Sequence, residues 1–93
     1  MTTSFKVIRT DGSESIIDQA PTLDAIYRAI GCTCSDHVTL SHSSIMIVDD
    51  TGMIDGKPVN VKATALYHAK CKPGTTHQIH GDVAIITEKQ QGP

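Results

Sequence analysis

Alternating hydrophobic and polar positions at the start of the chain predict a β-hairpin. A strand over residues 5–10 places Phe5 and Val7 on one face and Ile8 on the other. Residues 11 and 12 are Asp-Gly, a dipeptide that favours a tight turn, and residues 15–17 then form the return strand. Pro21 ends the pairing because proline has no amide hydrogen to donate to a neighbouring strand.

A helix is predicted between Thr22 and Gly31. Threonine caps a helix N-terminus with its hydroxyl, and glycine is the residue type that ends a helix in a left-handed conformation. Asp24 favours the same assignment because the helix dipole attracts an anion to the first turn. The spacing i, i+3, i+4 and i+7 defines one buried face, which consists of Leu23, Ile26, Tyr27 and Ile30.

The middle of the chain predicts two longer strands and a short one. Residues 37–41 alternate in polarity, so that Val38 and Leu40 face inward. Residues 44–48 contain an unbroken apolar run, typical of a strand that is buried on both faces. A turn at residues 49–52 leads into a short return strand at 53–54.

The segment of residues 55–69 combines a turn, a proline, a cap and a second helix. Pro58 stops strand pairing, and Asn60 is a good cap for a helix over residues 61–69. Two inner faces fit the pattern: Ala63 with Leu66 and Tyr67, or Val61 with Ala65 and Ala69. A last strand follows over residues 78–87, with Gly81 marking a bulge or turn of positive φ.

These elements predict one α+β domain over residues 1–93, with an ordered core at about 5–88 and a polar tail at 89–93. The expected architecture is a mostly antiparallel sheet of about five strands packed layer on layer with two helices. A chain of 93 residues is long enough to bury a core without a metal or disulfides. The pattern leaves the strand order open.

Composition and charge narrow the function classes. The formal charge is −2 and the eight Lys and Arg residues are scattered, which argues against binding to duplex nucleic acid. No apolar run reaches the ~18 residues that span a bilayer, and the start of the chain lacks the apolar core of a signal peptide. Three cysteines fit reduced thiols better than a disulfide framework. We therefore expect a cytoplasmic protein.

Four short motifs lie in the predicted helices and strands. They read Thr-Leu-Asp-Ala-Ile at 22–26, Ile-Val-Asp-Asp-Thr-Gly at 47–52, Pro-Val-Asn and Ala-Thr-Ala-Leu-Tyr within 58–67, and Ile-His-Gly-Asp-Val-Ala-Ile at 79–85. Their succession resembles a family of small domains of unknown function found in tailed phages and actinobacterial mobile elements. The resemblance covers about residues 5–88, and it departs at Cys-Thr-Cys-Ser, 32–35, where such domains tend to have a glycine-rich aromatic segment. It implies an accessory protein inside a bacterium, with no activity to transfer.

Cysteines and histidines form the most conspicuous polar set. They are residue types that bind zinc, and His77 and His80 form a further pair. The candidate metal ligands are Cys32, Cys34, His37, His68 and Cys71. Their spacing lacks the Cys-x2-Cys of common zinc knuckles, so we favour ordinary thiols and solvated histidines and expect no cofactor.

The start of the second helix is a candidate anion site. Lysines flank the cap, and a helix N-terminus attracts phosphate groups. The candidate ligand-binding residues are Lys57, Asn60, Lys62 and Thr64. The alternative, which we favour, is that Asn60 only caps the helix.

No nucleophile elbow or glycine-rich phosphate loop is present in the sequence, so we expect no enzymatic activity. A triad of Cys71, His68 or His80, and Asp82 can be drawn, but a chain with five histidines offers many such sets. The leading hypothesis is a phage-type accessory protein that binds a bacterial host protein and can form homo-oligomers through an exposed sheet edge. The alternative is a protein that binds or sequesters a small nucleotide-type signal.

Overall fold

Within the residues that the structure describes, five strands and two helices form an α+β fold, as the sequence predicts. The computed structural model describes residues 4–32, 34–51, 55–70 and 78–87. In chain order the elements are β1 (Phe5–Ile8), β2 (Glu14–Ile17), α1 (Leu23–Ile30), β3 (Ser35–Ser41), β4 (Ser44–Asp49), α2 (Val61–Lys70) and β5 (Val83–Thr87). Neither of these helices, within the described ranges, is long and apolar enough to cross a membrane.

The five strands pair in one antiparallel sheet in the order β2-β1-β5-β4-β3. The last strand, β5, therefore lies at the centre, and β2 and β3 form the two edges. β4, whose apolar run predicts burial on both faces, is an interior strand beside β5. The sequence could not supply this order because the pairing of β1 with β5 joins the two ends of the described chain.

The helices pack on opposite faces of the sheet. Alternate side chains of each strand point to opposite sides, so each helix has its own hydrophobic cluster. The cluster on the α1 face consists of Phe5, Val7, Ile26, Ile30, Cys32, Ile47 and Ala84. The cluster on the α2 face consists of Ile8, Met46, Val48, Ala63, Ile79, Val83 and Ile85. The core is thus divided by the sheet into two layers.

α1 has the predicted caps and most of the predicted inner face. The Thr22 hydroxyl accepts a hydrogen bond from the amide of Ala25 at 3.2 Å, and Gly31 ends the helix with φ 68°. Ile26 and Ile30 are buried, but Leu23 is 63% exposed. Including Leu23 in the buried face was wrong: it is the first helical residue, and the buried part of the stripe starts one turn later.

α2 is buried much less than either predicted inner face requires. Ala63 is fully buried and Tyr67 is half-buried, whereas Leu66 is 37% exposed and Val61 is 73% exposed. The first predicted face therefore holds for two of its three residues. The second is exposed, and it includes Ala65 as well as Val61. The single methyl of Ala63 lets the helix backbone approach the sheet closely, while Val61 and Leu66 stay exposed.

Two predicted turns have the expected positive φ, 90° at Gly12 and 88° at Gly81. The last strand begins at Val83 and is shorter than predicted. Before it, His80 makes an isolated β-bridge with Val59, and the chain then turns at Gly81. The predicted return strand at 53–54 and the polar tail at 89–93 lie outside the described residues.

Candidate functional site

Asn60 ties the start of α2 to the sheet. Its side chain is 0% exposed; the amide nitrogen donates to the carbonyl oxygens of Ile8 at 2.9 Å and Gly81 at 3.0 Å. The amide oxygen accepts from the backbone N–H of Ala63 at 3.0 Å, so the predicted cap is confirmed. The backbone N–H of Asn60 also donates to Ile79 at 2.8 Å. Asn60 therefore joins β1, the turn before β5 and α2.

Lys57 joins the same segment to α1 and β4. Its ammonium donates to the carboxylate of Asp49, and to the carbonyl of Gly31 at 2.7 Å. The Asp49 side chain is 1% exposed, and the Gly31 carbonyl belongs to the negative end of the α1 dipole. One lysine thus neutralises a buried carboxylate and a helix terminus together.

The pKa values of this ion pair follow from its contacts. The hydrogen bond to Asp49 raises the pKa of Lys57 and outweighs burial, which acts in the opposite direction. Burial acts to raise the pKa of Asp49, but the hydrogen bonds from Lys57 and Thr51 outweigh it and hold that pKa below its ordinary value of 3.8. Both groups are therefore charged at neutral pH.

The turn before β5 closes over the Lys57 side chain. His80 Nδ1 lies 2.8 Å from the Lys57 carbonyl oxygen, and the Gly81 N–H donates to Pro58 at 2.8 Å. A Cβ at Gly81 would lie 3.0 Å from Lys57 Cδ. Glycine therefore serves two needs at this position, the positive φ and the space for the lysine stem.

The candidate anion ligands are all engaged within the chain. The Thr64 hydroxyl accepts from the amide of Ile79 at 3.0 Å, and Lys62 donates to Glu14 at 2.9 Å. Together with Lys57 and Asn60 they fasten the segment of residues 57–64 to the sheet. Lys62 differs from the other three because its side chain is 48% exposed. Binding of an anion by this set stays a prediction.

An open cleft of about 380 Å³ lies between α2 and the β1–β2 side of the sheet. Its lining residues are Lys6, Ile8, Glu14, Lys62, Ala65 and Leu66. Glu14 pairs with both lysines, at 2.9 Å from Lys62 and 3.2 Å from Lys6. The hydrogen bonds from Lys62 and Lys6 lower the pKa of Glu14, and the bond from Lys62 has the larger effect. Ile16, which pairs with Lys6 across the two strands, is 67% exposed beside the cleft.

The cleft residues of β1 and β2 were missed by the sequence analysis. Their signal is the strand alternation itself: a strand that turns Phe5 and Val7 to one face turns Lys6 to the other, with Ile8. That alternation does not say which helix covers which face, so it could not bring Lys6 and Glu14 next to α2.

Four of the five candidate metal ligands lie in the described residues, and these four do not form one metal-binding group. Among residues 4–32, 34–51, 55–70 and 78–87 no three His, Cys, Asp or Glu side chains form a group able to hold a metal ion. Cys32 is buried beside α1, Cys34 and His37 are exposed, and His68 belongs to α2 on the other side of the sheet. Burial raises the pKa of the Cys32 thiol, and the Asp49 carboxylate acts in the same direction. Cys71 and His77 lie outside the described residues.

Asp82, the acid of the triad that the sequence allows, is held by the β1–β2 turn. Its carboxylate accepts from the N–H of Thr10 at 3.0 Å and pairs with Arg9 at 3.4 Å. The triad's cysteine, Cys71, is outside the described part of the chain. The contacts of Asp82 therefore point to a structural role at the turn.

Comparison with known protein families finds one family model that covers both the fold and the candidate site. A family model described as a domain of unknown function, DUF3846, matches residues 3–92. No curated protein and no solved structure matches the chain. The matched range includes both helices, all five strands, the Asn60 contacts and the cleft. The chain belongs to the DUF3846 family of domains of unknown function.

Proposed function

We propose that this chain is a non-enzymatic accessory protein that binds another protein through the α2–β2 surface. We define this surface as the cleft together with Ile16, Val61 and Leu66. The observation that supports it is the exposure of these three large apolar side chains, at 67%, 73% and 37%. Leu66 lines the cleft, Ile16 pairs with the cleft residue Lys6, and Val61 precedes the cleft residue Lys62 in α2. Apolar groups gathered at a polar rim are typical of protein interaction sites.

The partner we propose is a protein of a bacterial host, and the site of action is the bacterial cytoplasm. Support comes from the four motifs whose succession resembles domains of tailed phages and actinobacterial mobile elements. These motifs include residues 58–67, which form the start of α2 and part of the proposed surface. Acting as a phage-type protein on a host factor is the role that this resemblance favours.

A binding role also agrees with the use of the reactive groups outside the cleft. Lys57 and Asp49 neutralise each other, and Asp82 is bonded to the β1–β2 turn. The Cys32 thiol is buried with a raised pKa, which makes it a poor nucleophile. Lys57, Asp49 and Asp82 thus stabilise the fold, and Cys32 is buried in its core.

Partner capture tests this proposal. Tagged wild-type protein, well above micromolar concentration, is incubated with lysate of the host bacterium, and bound proteins are quantified by mass spectrometry. We expect one protein to be enriched by the wild type and lost with the double variant Ile16→Asp/Leu66→Asp. Leu23→Asp is the matched control, because Leu23 is an exposed leucine on the other helix. Failure to enrich any protein in repeated experiments would overturn the proposal.

A small anionic ligand is the second candidate, favoured by the presence of Lys62 in the cleft beside Lys6. The volume of about 380 Å³ is within the range of small-molecule sites, roughly 300–1,000 Å³. A nucleotide panel in a thermal-shift assay tests it. A true ligand at about 100 times its Kd should add about 2.7 kcal/mol to the free energy of unfolding. A panel without any shift would eliminate this candidate.

A further inference from the structure

We propose that the α2–β2 surface receives an acidic amphipathic helix of the partner protein, which packs beside α2 over β1 and β2. This inference rests on the proposed function and adds the shape and the charge of the partner segment. Three features of the surface support it: the width of the uncovered sheet, the apolar side chains on it, and an excess of positive charge.

The uncovered part of the sheet has the width of one helix. Five strands at about 4.8 Å spacing span roughly 19 Å between the outer strand axes, whereas a helix with its side chains is about 10 Å across. The α2 face therefore has room for two helices. α2 approaches β3 more extensively than it approaches β1 or β2, which leaves the exposed Ile16 of β2 and the cleft above Ile8 uncovered.

Apolar groups lie along both sides of this open half. Ile16 of β2 lies on one side, opposite Lys6, and Leu66 and Ala65 of α2 lie on the other. The buried side chain of Ile8 lines the bottom. An inserted helix would meet them with one apolar stripe, as amphipathic helices do in hydrophobic grooves.

The charge of the cleft selects an acidic helix over a basic one. Lys6 and Lys62 share the single carboxylate of Glu14, so the cleft has a local excess of one positive charge although the chain as a whole carries −2. Their side chains are 43% and 48% exposed, and each ammonium has three N–H donors. A carboxylate on the partner helix can therefore reach both lysines without displacing Glu14.

A second copy of this chain fits the β2 edge of the sheet poorly. Residues directly opposite in an antiparallel pair point to the same face of the sheet. If the β2 strands of two copies pair about a two-fold axis, Glu14 and Ile16 of one copy therefore face Glu14, Ile16 or Asp18 of the other. Placing Ile16 opposite Ile16 puts Glu14 opposite Asp18 of the copy. The neighbouring register puts each Ile16 opposite Glu14. Like charges or an apolar–charged mismatch thus oppose β2 self-pairing.

Two synthetic helical peptides test the inference. Both have roughly 15 residues, about four turns, and the same leucine stripe, but one has Glu and the other Lys at the flanking positions. Binding to the 15N-labelled full chain is followed by NMR titration. We expect the acidic peptide to bind at least tenfold more tightly and to shift the amides of Lys6, Ile16, Lys62 and Leu66.

Variants separate the charge contribution from the apolar one. Lys6→Gln/Lys62→Gln should abolish the preference for the acidic peptide, and Leu66→Asp should weaken binding of that peptide at least tenfold. Arg28→Gln and Leu23→Asp are the matched controls on α1 and should leave both peptides unaffected. The amide spectrum of each variant confirms that it is folded.

Three outcomes would overturn the inference. They are no binding of the acidic peptide, equal binding of both peptides, and a wild-type dimer in sedimentation that Ile16→Asp dissociates. If partner capture still depends on Ile16 and Leu66, the proposed function survives such a result. If lysate capture finds no partner, the proposed function fails independently of the peptides.

Discussion

The two helices are attached to the same sheet by different means. α1 buries Ile26 and Ile30, at 2% and 4% exposure, and its attachment is mainly hydrophobic. α2 buries one alanine, and the side chain of Asn60 connects its first turn to two other segments. A helix fastened by hydrogen bonds at one end does not need its apolar side chains for its own attachment. Leu66 and Val61 are therefore available to a partner.

The largest expected effect tests the hydrogen-bonded attachment of α2. Asn60→Asp keeps an oxygen for the Ala63 amide but turns a second oxygen towards the carbonyls of Ile8 and Gly81. Two buried acceptors lose their donor, and we expect a loss of about 4 kcal/mol in the free energy of unfolding, measured with urea.

The control for Asn60 is the cap of α1. The Thr22 hydroxyl bonds only to Ala25 among the described contacts, so Thr22→Ala should cost about 1 kcal/mol, the usual value for a lost cap. If Asn60→Asp costs no more than Thr22→Ala, the connection of Asn60 to the strands contributes nothing and the two helices are attached alike.

Removing apolar volume under α1 gives the next effect. Ile26→Ala leaves a cavity at a side chain that is 2% exposed, and we expect a loss of about 3 kcal/mol by urea unfolding. Leu23→Ala on the same helix should change stability by less than about 0.5 kcal/mol because Leu23 is exposed. Equal losses for the two variants would contradict the hydrophobic attachment of α1.

The ion pair of Lys57 with Asp49, which connects the segment before α2 to β4, makes the stability of the fold depend on pH. Because the pKa of Asp49 is lower in the folded chain, its contribution is complete above the ordinary value of 3.8 and is lost as pH falls through the folded pKa. The raised pKa of Lys57 gives the opposite sign: its contribution is present below 10.5 and is lost as pH rises through the folded pKa.

Asp49→Asn tests this linkage. The variant leaves Lys57 without its counter-charge, and we expect a loss of about 2 to 3 kcal/mol at neutral pH. Its stability should also fall less than that of the wild type between about pH 5 and about pH 2, measured by urea unfolding at each pH. Asp24→Asn, at the exposed pair with Arg28, is the control and should cost much less stability than Asp49→Asn at neutral pH. Parallel pH profiles for Asp49→Asn and the wild type would contradict the assignment.

The smallest expected change in stability is at the exposed face of α2. Leu66→Ala should change the unfolding free energy by less than about 0.5 kcal/mol, because leucine and alanine are both good helix formers and this side chain is 37% exposed. The thermal midpoint is the measurement. A large decrease would show that Leu66 supports the attachment of α2, and the contrast between the helices would then be smaller.

The features that the sequence predicted are local ones. Thr22 and Gly31 define α1 by their own chemistry, and the alternation around Phe5 fixes the two faces of β1 before any partner strand is known. Asn60 was also predicted as a cap, because capping depends on an amide only three residues away. Such signals are readable because all their partners lie within a few residues.

The features that the sequence did not predict depend on distant partners. The bonds from Asn60 to Ile8 and Gly81 cross 52 and 21 positions of the chain, and the pair of Lys62 with Glu14 crosses 48. The helix pattern of α2 was ambiguous for a related reason. Ala63 is the one side chain that α2 buries fully among its described residues, with Tyr67 half-buried beside it, so the hydrophobic periodicity that identifies α1 is missing there.

The central position of β5 has a consequence for synthesis of the chain. β5 begins at Val83 and pairs with both β1 and β4, so the hairpins β1–β2 and β3–β4 leave the ribosome with their inner edges unpaired. The two hydrophobic clusters also stay incomplete until residue 87 has emerged, because each includes residues of β5. Closure of the sheet therefore waits for β5 and is dominated by long-range pairing, and until β5 is available the unpaired edges of the two hairpins favour association with other chains.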